Sequence, residues 1–89
     1  MAKITGTFAA TGQSARLNGS KDGLTLVLAD FGVGTIALEA SWDGGATWEP
    51  YSSYTADTGA VVDSKSDEIV WRLNCTAYTS GTLKYCLAN

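Results

Sequence analysis

The sequence predicts an all-β fold: a single small antiparallel β-sandwich or barrel of seven to eight strands, spanning residues 1–89. Three observations lead there. Turn-forming residues recur about every 8–12 positions, the spacing of short strands in sandwiches and barrels. No stretch keeps a helical period of apolar residues. Several segments alternate apolar and polar residues with the period of two that a half-buried strand requires.

Taken in order, strands are expected at residues 3–9, 13–18, 24–31, 35–42, 47–52, 60–63, 68–76 and 82–87. The breaks between them are rich in Gly, Asn, Asp and Ser. These residues accept positive φ or bond their own backbone. In the third strand Leu24, Leu26 and Leu28 alternate with Thr25, Val27 and Ala29, so both faces are fairly apolar and the strand should be central. In the fourth, Ile36, Leu38 and Ala40 alternate with Ala37, Glu39 and Ser41, so one face should be wet. At the C-terminus, Thr79-Ser80-Gly81 reads as a three-residue hairpin loop with Gly81 left-handed. That register sets Cys75 opposite Tyr85 and Leu73 opposite Leu87. Ile69, Trp71, Leu73, Cys75, Leu83, Tyr85 and Leu87 then share the core face, with Cys86 on the opposite one. A disulfide between Cys75 and Cys86 is geometrically poor in that arrangement. The polar run 57–68 reads as a mobile or interaction loop.

Composition narrows function. A chain of 89 residues, 45% hydrophobic, can form one core. It buries only about 60–65% of its unfolded surface, so oligomerisation is a natural source of further burial. The net charge is -3 and the six basic residues are dispersed. This argues against a nucleic-acid partner and against an anionic membrane, both of which need clustered positive charge. The longest apolar run is too short to span a bilayer. The N-terminal residues lack the apolar core of a secretory signal, so synthesis in a cytosol and free thiols are expected. There is no histidine, which removes the commonest general base and metal ligand. No catalytic residue, metal site or cofactor is assigned, and the chain is read as a non-enzyme.

One motif stands out. Ser41-Trp42-Asp43-Gly44-Gly45-Ala46-Thr47-Trp48 fits S-x-D-x-G-x-T-W and resembles the Asp-box of sialidases and related β-propellers. The residues suit a folded hairpin loop. The Asp43 carboxylate can accept backbone N–H bonds, Gly45 supplies unusual backbone angles, Ser41 and Thr47 can bond the loop backbone, and Trp48 can pack beneath it. In Asp-box proteins this loop is structural. A propeller needs several four-stranded blades, more than this length provides, and two arginines cannot make a sialidase's arginine cluster. Glu39 and Glu49 are read as solvated positions. Asp57, Asp63, Asp67 and Glu68 match no calcium-loop spacing. Trp42, Tyr51 and Tyr54 are the candidate partner contacts, since exposed Trp and Tyr anchor protein interfaces or stack on sugars.

Nearly the whole chain resembles small structural proteins of tailed-phage particles. Three segments carry the resemblance: Phe8-Ala9-Ala10-Thr11-Gly12-Gln13-Ser14, the stretch from Leu38 to Trp48, and the stretch from Trp71 to Thr82. Trp42 stands where Phe is common in the pattern, and Cys86 where a polar residue is common. The resemblance implies a virion protein made in the host cytoplasm. The most favoured role is a capsid decoration or cement protein. Its partner would be the major capsid protein or another virion protein, and it would act as a homo-oligomer, taken as a trimer. Residues 1–14 would serve as an interaction arm, together with a loop over 54–68. The alternative is a tail- or fibre-associated module that binds host glycans.

Overall fold

A computed structural model describes residues 2–63 and 68–89. Among them run nine strands: β1 (Lys3–Phe8), β2 (Gly12–Gln13), β3 (Leu17–Asn18), β4 (Leu24–Ala29), β5 (Val33–Ser41), β6 (Glu49–Tyr54), β7 (Thr58–Val62), β8 (Val70–Ser80) and β9 (Leu83–Ala88). The described residues contain no helix, and the strands form two packed antiparallel sheets. The first has the order β1-β9-β4-β7. The second has the order β2-β8-β5-β6, with β3 also paired to β8. The expected all-β sandwich is therefore the architecture.

Period-two patterning explains the core. Leu24, Leu26 and Leu28 of β4 are buried, while Thr25 and Val27 face solvent. Ile36, Leu38 and Ala40 of β5 meet Cys75, Leu73 and Trp71 of β8, and all six are buried. Leu83 and Leu87 of β9 close the core from the first sheet. Each buried leucine contributes about 1.5–3 kcal/mol by leaving water. The central place expected for the leucine strand is found, since β4 lies between β9 and β7. It ends at Asp30, whose φ of 49° turns the chain out of the sheet.

The C-terminal hairpin is corrected. β8 and β9 do not pair; β8 bonds β2, β3 and β5, whereas β9 bonds β1 and β4 in the other sheet. Gly81 does adopt a left-handed φ of 92°, but the turn it makes carries the chain between sheets. Tyr85 accordingly faces Gly6 and Leu28 rather than Cys75. The face assignment survives: Trp71, Leu73, Cys75, Leu83 and Leu87 are all buried, and Ile69 and Tyr85 pack against them.

Two further differences concern strand ends and faces. The strand expected at 13–18 is two short pieces, β2 and β3. Between them Ser14 keeps contact with β8 through its amide to Leu73 O (2.8 Å) and its hydroxyl from Leu73 N (2.9 Å). The second face of β5 is not wet, because Ala37 and Ser41 are buried and Glu39 is paired. The first fourteen residues, expected as an arm, contribute β1 and β2 to the two sheets. The strand expected at 60–63 is found as β7, which begins earlier, at Thr58, inside the run 57–68 read as a loop; residues 64–67 lie outside the described residues.

Candidate functional site

The hairpin between β5 and β6 carries every residue of the Asp-box-like motif. Its loop is closed by side chains. The Ser41 hydroxyl donates to Asp43 Oδ1 at 2.6 Å and accepts from the Gly45 amide at 2.9 Å. Asp43 Oδ1 also accepts the Thr47 amide at 3.0 Å, and Oδ2 accepts the Thr47 hydroxyl. The carboxylate thus takes one backbone and two hydroxyl donors, fewer backbone bonds than the sequence suggested. The Ser41 hydroxyl, then the Thr47 hydroxyl and amide, hold the Asp43 carboxyl well below the usual carboxylate range. Gly44 and Gly45 take φ of 75° and 96°, which only glycine adopts without strain.

Two arginines brace this loop, and sequence reasoning assigned neither a role. Arg16 Nη1 donates to Gly44 O at 3.0 Å, although 28 residues separate them. Arg72, in β8, donates from Nε to Glu39 Oε1 at 2.7 Å, and Asn74 Nδ2 reaches Glu39 Oε2 at 3.2 Å. The Arg72 guanidinium lies 4.3 Å from the centroid of the Trp48 ring, and that of Arg16 lies 6.0 Å away. Trp48 therefore anchors the loop by cation–π stacking on the outside of the second sheet. Trp48 is half-buried there. Glu39 is no solvated side chain, being only 12% exposed in its ion pair, whereas Glu49 is exposed. No local signal announces these contacts, because they join residues far apart in the chain.

The three candidate contact residues divide. Trp42 is 67% exposed, and Tyr51 is 55% exposed. Tyr51 is the extra residue of a β-bulge, since Leu38 pairs with Ser52 and Glu39 with Pro50. Its ring meets Trp71 edge-on at 5.2 Å. Tyr54 instead packs against the core. Among the described carboxylates, Asp30 pairs with Lys84 at 2.9 Å, and Asp57 accepts the Phe31 amide at 2.8 Å. No group of three metal-ligating side chains occurs among the described residues. Asp67 lies outside them.

The geometry makes a stiff platform. Ser41, Asp43 and Thr47 spend their side chains on bonds within the loop, and Trp42 stays exposed. No protein-family model, curated protein or solved structure matches the chain.

Proposed function

We propose that this chain is a structural protein of a bacteriophage particle, a capsid decoration protein that binds the outer shell and stabilises it. The observation that carries the reading is Trp42, two-thirds exposed on a loop locked by Ser41, Asp43 and Thr47. An exposed tryptophan costs little ordering entropy on binding when its backbone is already fixed. Aromatic side chains of this kind dominate interface energetics. The size of the chain, its acidity and its resemblance to small tailed-phage virion proteins support the same reading. Many copies on a repeating lattice would add weak contacts into a firm grip.

The test is direct. Purified chain is added to shells assembled from the major capsid protein of the parent phage, and bound density is sought by cryo-electron microscopy. Saturating, symmetric density that disappears with Trp42→Ala supports the proposal. Shells that stay bare overturn it. Binding of the pure chain to immobilised host glycans, lost in Trp42→Ala, would replace it with the tail-adhesin reading.

A further inference from the structure

We propose that copies of this chain join head to tail through the first sheet, β7 of one copy adding as a strand to β1 of the next. The proposal does not depend on the virion reading.

Natural β proteins guard strand edges, because unpaired N–H and C=O groups are templates for another strand. The second sheet is guarded in this way. Its β6 edge carries Pro50 beside a bulge, and its other edge consists of two-residue pieces. The first sheet has a single such guard within its edge strands, Lys3 of β1. β1 runs six residues and β7 five, both in ladders without a register shift, and neither contains proline. β7 has no charged residue, and its Val61 is 77% exposed. Among the described residues, each pairs on one side only.

The second copy is favoured as the occupant by strand sense and by charge. β1 is antiparallel to β9, β9 to β4, and β4 to β7. Three inversions leave the two edges of one sheet antiparallel to each other. A neighbouring copy placed beside the sheet in the same orientation therefore offers β1 to β7 in the antiparallel sense. The inward side chains stay on the core side, so that Ile4 of the next copy falls beside Ala60 or Val62. The alternative of β7 pairing with its own copy is opposed by charge. Asp57 and Asp63 lie symmetrically about Ala60, so full-length self-pairing sets carboxylate against carboxylate. β1 brings Lys3 instead, and in the antiparallel sense it arrives at the Val61–Asp63 end. A head-to-tail contact of this kind closes into a ring or continues as a filament.

Sedimentation velocity of the full chain from micromolar to millimolar concentration tests it with two double variants at exposed outer-face positions. In the head-to-tail pairing Thr5 of the next copy lies opposite or diagonal to Val61. The native chain is expected to rise to at least twice its 9.3 kDa monomer mass. Thr5→Lys with Val61→Lys should remain monomeric, and Thr5→Lys with Val61→Glu should associate again. The rescue separates a lost contact from a lost fold, and amide exchange of native β1 and β7 should slow as concentration rises. A native chain that stays monomeric throughout overturns the proposal. So does loss of association in both variants, which would mark pairing of β1 with itself, or no change in either.

Discussion

Arg72 holds its guanidinium 4.3 Å from the centre of the Trp48 ring while its Nε engages the Glu39 carboxylate at 2.7 Å. One side chain thus ties the loop to strands β5 and β8. Arg72 and Glu39 are 22% and 12% exposed in their side chains, so water screens the pair only partly. Arg72→Leu leaves Glu39 charged and largely enclosed. It is expected to destabilise the fold by about 2–4 kcal/mol. Glu39→Leu combined with Arg72→Leu should recover a large part of that loss, because no lone charge remains. Urea unfolding of the native chain, both single variants and the double variant measures the coupling. Additive losses would show that the two side chains act independently.

The Asp43 carboxyl gives the hairpin an acid-sensitive component. Its hydrogen bonds from Ser41 and Thr47 favour the ionised form and depress its pKa in the folded chain. The stabilisation is therefore complete above the unfolded value, near pH 4 for an ordinary aspartate. It fades as pH falls below that value towards the lower folded one. Asp43→Asn cannot titrate there. Melting temperatures should show the native chain more stable than Asp43→Asn at neutral pH, with the gap narrowing on the acid side of pH 4. A gap of constant size across that range would mean that the charge on Asp43 contributes nothing.

Two glycines with similar backbone angles should respond differently to alanine. Gly45 has φ 96°, and a Cβ there would come within 2.5 Å of Arg16 Nη1. The guanidinium is the end of a flexible side chain and can move, at the cost of its bond to Gly44 O. Gly45→Ala should therefore cost about 1–2 kcal/mol, mainly the left-handed strain. Gly81 has φ 92°, but its Cβ would lie 2.7 Å from the Gly32 Cα, which is backbone and cannot step aside. Gly81→Ala should cost clearly more and lower the melting temperature further. Equal shifts for the two variants would show that the close approach of Gly32 and Gly81 is not rigid.

The same turn shows how far the sequence could be read. Alternation of apolar residues placed Trp71, Leu73, Cys75, Leu83 and Leu87 on the core face, and all five are there. Alternation reports which side of a strand is buried, and it holds for a hairpin and for a turn that crosses between sheets alike. A glycine with positive φ also serves both. Which strand lies beside which is set by contacts distant in sequence, such as Ile36 with Cys75 or Leu17 with Trp71, and these leave no local pattern. The candidate site divides in the same way. The bonds within residues 41–47 follow from a local motif, whereas Arg16 bonds Gly44 of the loop from 28 residues away and Arg72 bonds Glu39 of β5 from 33. Glu39 looked solvated because its partner could not be seen along the chain.

The two thiols offer a chemical check of the face assignment. Cys75 is buried in the core, and that burial pushes its thiol pKa up, so little thiolate forms. Cys86 is half-buried on the outer face of the first sheet, between Thr5 and Val27. Only thiolate attacks a disulfide reagent, and only when the reagent can reach it. In the folded chain an aromatic disulfide reagent is expected to titrate one thiol per chain, and in denaturant two. Cys86→Ser should abolish the reaction of the folded protein, and Cys75→Ser should leave it intact. Cys75→Ser should nevertheless lower stability by about 1–3 kcal/mol, since it puts a hydroxyl where a weakly polar sulfur packs. Rapid modification of both thiols without denaturant would place Cys75 outside the core and reverse the inward face of β8.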